Sequence, residues 1–250
     1  MASHFECLGF PITPEDGAGS KVVEVVRRLF DRGRPAPAPE GFHAVRYASE
    51  SGVGAFAALA VDGTESTLDL RCLAPTFTGS TRRRSKILRS LPDESCAFCD
   101  YLHVELRPEG ADRGHPVLVE VKQEGLDRKR DVRGLDVVLA VTLLATKREV
   151  FADVAAFTAG RPEDLEAASF VPTGLLTRPH RPLARVTGTV AEVRTVVNPV
   201  SDRPFLHVRL ATFGGEIDVA AAPGEGSAGI RAGALLLAEG PLLAQVVEGL

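Results

Sequence analysis

The chain has no tryptophan, one methionine and two tyrosines, and aromatic side chains make up only 6% of its 250 residues. A binding face built from rows of exposed stacking rings therefore has few residues to draw on. Positive charge is not in excess either: 29 Lys and Arg stand against 33 Asp and Glu, a net charge of -4. That balance argues against a protein whose whole surface attracts nucleic acid, and leaves room only for a local basic patch. No run of about 18 uninterrupted apolar residues exists, so no membrane-spanning helix is expected. The longest apolar run, residues 137–145, is broken by Thr142 and followed by Lys147, Arg148 and Glu149. It suits a buried strand.

The start of the chain has no charged segment followed by an apolar one, so no signal peptide is expected. Four cysteines without such a signal point to reduced thiols and a cytoplasmic setting. Local catalytic signatures are missing as well: there is no G-x-S-x-G, no G-x-x-x-x-G-K-[ST], no strand-to-helix G-x-G-x-x-G and no H-E-x-x-H. Gly52-Val53-Gly54 and Gly224-Glu225-Gly226 are turn glycines. The histidines are scattered, and Glu15-Asp16 and Asp93-Glu94 sit in turn-like contexts. The chain leans away from an enzyme.

What is present is the composition of a soluble globular protein, 44% hydrophobic and 25% charged, long enough for one large domain or two ordinary ones. Heavy use of Ala, Gly, Arg and Pro points to a GC-rich bacterial genome. A helix is predicted over residues 21–31, with Ser20 as N-cap, a stripe of Val22, Val23, Val26, Leu29 and Phe30, and Gly33 as its end. The alternating prolines at 35, 37 and 39 predict a stiff connector. Antiparallel strands are predicted over 43–48, 53–61 and 67–73, with turns at 50–52 and 62–63, and further strands over 101–106, 117–122 and 135–145. Short helices are expected at 150–158 and 162–168, then an extended stretch at 170–176 and a hinge at 178–182. No repeat of fixed period is visible.

Residues 183–250 read as a self-contained β-barrel of the OB type. A long β-branched strand over 184–197 is followed by a turn at Asn198-Pro199, strands at 205–211 and 216–220 around Gly214-Gly215, and a last strand at 234–243. The fold class expected is α+β. A mainly antiparallel β domain with a few helices spans residues 1–177, and the OB-like β-barrel spans 183–250.

OB barrels often bind single strands or proteins. In this one Arg185, Arg194, Arg203, Arg209 and Arg231 are outnumbered by Glu192, Asp202, Glu216, Asp218, Glu225, Glu239 and Glu248. The best nucleic-acid face combines Arg194, Phe205, His207 and Arg209, with Leu206, Val208 and Leu210 turned to the core. Arg82, Arg83, Arg84, Lys86 and Arg89 form a dense basic loop that can track phosphates or remain a solvated face. Cys96 and Cys99 have the C-x-x-C spacing of a zinc or redox pair, with His103 nearby, but no second close pair completes a zinc site. The alternative is ordinary thiols.

Ser3-His4-Phe5…Leu8-Gly9-Phe10-Pro11, Ser51-Gly52-Val53-Gly54, Ser169-Phe170-Val171-Pro172-Thr173-Gly174-Leu175, and Thr187-Gly188…Asn198-Pro199…Arg203-Pro204-Phe205 with Gly214-Gly215-Glu216-Ile217-Asp218-Val219 together resemble an uncharacterised bacterial two-domain family with a C-terminal OB-like module. The resemblance implies the fold and transfers no activity, and the Cys96/Cys99 pair lies outside its pattern. The functional expectation is a cytoplasmic, non-enzymatic binding or adaptor protein with a protein partner and no membrane. The alternatives are single-stranded nucleic-acid binding through residues 82–89 and the barrel face, or a metal or redox protein using Cys96 and Cys99. No cofactor other than zinc is suggested.

Overall fold

The computed structural model describes residues 3–13, 15–16, 19–61, 69–92, 98–108, 111, 113–122, 131–159, 166–224 and 226–249. Among these the chain is mostly β, and helix is confined to two α-helices and short 3-10 turns. No helix among the described residues is long and apolar enough to cross a membrane.

Helix α1 (Ser20–Arg32) buries Val22, Val25, Val26 and Leu29. The i, i+3, i+4, i+7 spacing puts these on one face. Val23, expected in that stripe, is exposed. Ser20 is the first helical residue, and Gly19 occupies the N-cap without a side-chain hydrogen bond. The proline segment is more than a connector: β1 (Arg34–Ala36) pairs with β2 (Phe42–Ala48) at the edge of a sheet, where a proline removes no ladder bond. The sheet continues antiparallel through β3 (Val53–Ala60) to β4 (Asp69–Phe77). β3 is built from Ala, Gly, Val, Leu and Phe because it is covered on both faces. The expected turn at 62–63 lies outside the described residues.

A ten-stranded sheet holds the rest. Its strands are β5 (Arg83–Pro92), β6 (Cys99–Leu106), β7 (His115–Lys122), β8 (Asp136–Leu144), β9 (Lys147–Phe151), β10 (Ser169–Val171), β11 (Leu183–Asn198), β12 (Arg203–Thr212), β13 (Gly215–Ala221) and β14 (Leu235–Glu248). The segment 82–89, expected as a loop, is therefore mostly strand. The helix expected over 150–158 shortens to α2 (Val154–Thr158), capped by Asp153 accepting from the Ala156 N–H, because residues 147–151 extend along β14 instead. Of the helix expected over 162–168, only 166–168 are described, and they are not helical.

The sheet closes on itself twice. One circuit runs β5-β6-β7-β14-β8 and back to β5; the other runs β11-β12-β13-β8-β14 and back to β11. Each begins with an antiparallel meander of three strands. Each then takes one strand parallel to the third: β14 beside β7, and β8 beside β13. Each circuit thus owns four strands and borrows its fifth from the other. Residues 183–250 are completed by β8, from outside that range.

The exchange happens at Gly240, where β14 leaves β11 and joins β8. A Cβ at Gly240 would run into the Leu144 carbonyl, so only glycine lets the two shared strands approach there. The first strand of each circuit carries a bulge, between Ile87 and Arg89 and between Val190 and Glu192, which bends the strand around its circuit.

A sequence echo accompanies this arrangement. Tyr101-Leu102-His103-Val104-Glu105-Leu106 and Phe205-Leu206-His207-Val208-Arg209-Leu210 occupy the second strand of each circuit. His103 faces Arg89, as His207 faces Arg194. The internal repeat is thus one circuit long, which a search for a short fixed period passes over. A single apolar cluster fills both interiors, from Ile87 and Val104 through Leu139 and Val141 to Val208 and Leu236. A second cluster joins α1 and the four-stranded sheet to the outer side of β12 and β13 through Phe77, Phe205 and Ala220.

Candidate anion-binding cleft

Three arginines from three elements converge where the small sheet lies over the second circuit. Arg46 comes from β2, Arg82 from the segment entering β5, and Arg194 from β11. With the turn at residues 48–52, Thr76, Thr78, Gly79, Ser80 and Gln245, they line a cleft of about 440 Å³. Among the described residues that line it, Glu50 is the one carboxylate. Burial lowers the Arg46 pKa. An Arg starts so high that it stays charged.

The floor beneath is a buried polar network. Asp218 on β13 is fully buried. It accepts from the Thr81 N–H at 2.8 Å, the Thr81 hydroxyl at 2.5 Å and the Ser80 hydroxyl at 3.2 Å. It also accepts from His207 Nε2 at 2.6 Å. His207 Nδ1 accepts in turn from Arg194 Nε at 2.9 Å, which fixes the ring proton on Nε2. Burial works to raise the Asp218 pKa, but the hydrogen bonds from His207 and Thr81 outweigh it and hold the carboxyl below its ordinary range. A Cβ at Gly79 would collide with the Asp218 carboxylate, so a glycine is what lets the segment 79–81 lie across it. Arg82 Nη1 ties the same segment down through the Gly79 and Thr81 carbonyls, at 2.7 and 2.8 Å.

The expected nucleic-acid face does not form. Phe205 is fully buried and His207 is 4% exposed. Their rings pack edge-on against Phe77 at 5.5 and 5.1 Å. Val208 and Leu210 do face the interior of the second circuit, as alternation requires. The outer side is buried too, beneath the other sheet. Arg209 is drawn to Glu216 at 3.0 Å and Glu192 at 3.4 Å, so its charge is balanced. Of that face only Arg194 reaches the cleft.

Of the basic run, Arg82 reaches the cleft, Arg84 and Arg89 are exposed on β5, Lys86 is half-buried opposite Glu105, and Arg83 turns inward. Cys96 and the Cys99 side chain lie outside the described residues. His103 stands on β6, its pKa lowered by burial and by the charges of Arg89 and His180. That positive field opposes a bound cation. Among the described residues no cluster of three His, Cys, Asp or Glu has metal-holding geometry. Cys7 and Cys72 are buried thiols, and neither is in a disulfide with another described residue.

Sequence reasoning missed Arg46, Ser80, Thr81 and Asp218. The repeated Leu-His-Val of β6 and β12 was the one local signal that marked His207 as a special position. Compared with family models, curated proteins and solved structures, the chain matches none.

Proposed function

We propose that the chain is a non-enzymatic binding protein of the cytoplasm, built on two OB-like barrels, that takes an acidic segment of a protein partner into the Arg46–Arg82–Arg194 cleft. The observation that carries this reading is the convergence of three guanidinium groups on a cleft with one lining carboxylate. Arginine forks suit planar carboxylates. The OB-like reading is supported by the strand order, a three-stranded meander whose third strand runs parallel to the fifth while the fourth closes on the first.

A hydrolytic role is disfavoured by the same network. Ser80, His207 and Asp218 are the residue types of a triad, but Ser80 donates to Asp218 directly and both nitrogens of His207 are engaged. A general base needs a free nitrogen facing its nucleophile. Here the imidazole holds Arg194 in place instead.

Single-strand binding remains the second reading because Arg82, Arg84 and Arg89 are all exposed along one segment. The burial of Phe205 and His207 takes away its stacking rings, and with them most sequence-tolerant affinity.

Fluorescence anisotropy with a labelled Glu/Asp-rich decapeptide and with an oligothymidine of similar charge tests both. The acidic peptide binds, and Arg46→Gln with Arg194→Gln weakens it by at least about tenfold, one lost charge-assisted contact being worth ~1.5 kcal/mol or more. Unchanged peptide affinity in the double variant overturns the cleft reading. Tighter oligothymidine binding, lost with Arg84→Gln and Arg89→Gln and falling steeply with salt, favours the second.

A further inference from the structure

Strand alternation sends neighbouring arginines to different places. Arg82 and Arg84 are exposed, whereas Arg83 between them is 9% exposed. Its guanidinium crosses to the turn between β12 and β13, where Nη1 donates to the Glu216 carbonyl at 3.2 Å. Its Nε is buried without a hydrogen-bond partner. Among the described residues no carboxylate pairs with it: Glu216 is held by Arg209, Asp136 by Arg107, and Glu105 by Arg107 and the Gly114 N–H. A buried cation with no carboxylate partner among the described residues is an unfavourable arrangement, and one that an added anion relieves.

A second unfilled group stands beside it. His115 opens β7, and its Nε2 is buried without a partner. Burial, and then the Arg83 charge, lower its pKa. The two side chains meet at Gly214: a Cβ there would lie 3.5 Å from Arg83 Nη2, His115 Cε1 and Pro108 Cγ. Gly214 and Gly215 have φ of 79° and 116°, so glycine is required at both and no side chain covers the guanidinium from this turn. Aromatic rings flank the spot. Phe170 lies 5.0 Å and Phe213 6.5 Å from the His115 ring, and Phe213 is 59% exposed at the tip of the turn.

The geometry points to a phosphate site between Arg83, His115 and the Gly214-Gly215 turn, with Phe213 placed to stack on a planar ring carried by the same molecule: a nucleotide. Arg83 supplies a fork of N–H donors and a fixed positive field, and neutral His115 with its ring proton on Nε2 supplies one more donor. A phosphate monoester satisfies both and neutralises the buried charge. The base on Phe213 adds stacking that needs no particular sequence. This site uses none of the cleft arginines and does not rest on the cleft reading.

Thermal unfolding and amide spectra of the full chain, with AMP, ribose 5-phosphate, adenosine and inorganic phosphate as probes, test it. AMP raises Tm and shifts the Gly214 and Gly215 amides. Ribose 5-phosphate does so about tenfold more weakly, for want of the base, and adenosine does neither. Arg83→Met fills the buried volume without charge. It keeps or raises the ligand-free Tm, since apolar replacement of a buried charge is tolerated, and it abolishes the AMP response. Phe213→Ala, at an exposed turn tip, folds and loses the preference for AMP over ribose 5-phosphate. A 5′-phosphorylated trinucleotide binding more tightly than AMP assigns the strand end as the natural source, and equal binding assigns the free nucleotide. Arg46→Gln with Arg194→Gln leaves the AMP response intact. A wild type whose Tm and amides ignore AMP, or an Arg83→Met protein that binds AMP equally well, overturns the proposal.

Discussion

Replacing Asp218 by Asn tests whether the buried network positions the cleft. The carboxylate takes four donors: Oδ2 accepts from the Thr81 N–H and hydroxyl, Oδ1 from His207 Nε2 and the Ser80 hydroxyl. An amide keeps one oxygen and turns an NH2 toward the other pair. The backbone N–H of Thr81 cannot accept, so the oxygen must stay on that side and the NH2 must face Ser80 and His207. Ser80 can rotate its hydroxyl to accept. His207 can accept only by moving its proton to Nδ1, where it then meets Arg194 Nε donor to donor. The substitution therefore weakens two bonds at Thr81 from charged to neutral, and loses the bond to Arg194. At ~1 kcal/mol for each, the cost is about 3 kcal/mol, and Arg194 is released from its anchor.

Urea unfolding and peptide anisotropy read the two effects. Asp218→Asn lowers the unfolding free energy by about 3 kcal/mol and weakens acidic-peptide binding, although Asp218 itself does not line the cleft. The pH dependence carries a further sign. The folded carboxyl titrates below its ordinary value of 3.8. The stability it contributes is thus fully present above that value and is lost as the pH falls below it. Wild type and variant converge in acid. A loss under ~1 kcal/mol at neutral pH, or a gap that persists in acid, refutes the account.

Two other outcomes follow from burial. Phe205→Ala removes a fully buried ring packed edge-on against Phe77 and costs ~3–5 kcal/mol in urea unfolding; the near-neutral effect expected of an exposed stacking residue contradicts that placement. The Cys7 thiol, pushed up to about 12 by burial, stays protonated at pH 8, so mass spectrometry after iodoacetamide treatment finds it unmodified in folded protein and alkylated once urea unfolds the chain.

Much of the strand pattern was legible, because alternation and turn chemistry are local. The strands at residues 53–60, 101–106 and 203–212 follow from β-branched or small residues between turn signals. Which side of β12 is wet was not legible. Alternation correctly turned Val208 and Leu210 inward, but it cannot say that a second sheet, from far earlier in the chain, covers the opposite side (Phe77 meets the ring of Phe205 edge-on). Asp218 was hidden for the same reason, since it occupies an outward-facing position of an ordinary strand. The basic run misled because an inward arginine at position 83 makes a strand look like a loop. Arg46 joins the cleft only through packing between elements distant in sequence, and no local spacing announces that.

The exchanged strands bind the fate of each circuit to that of the other. Neither β5 to β8 nor β11 to β14 can close a ring from its own residues, since β14 stands beside β7 and β8 beside β13. Severing the chain between β9 and β10 would leave two halves that are each incomplete alone and complementary when mixed, and the intact ten-stranded sheet must melt in one cooperative step rather than circuit by circuit.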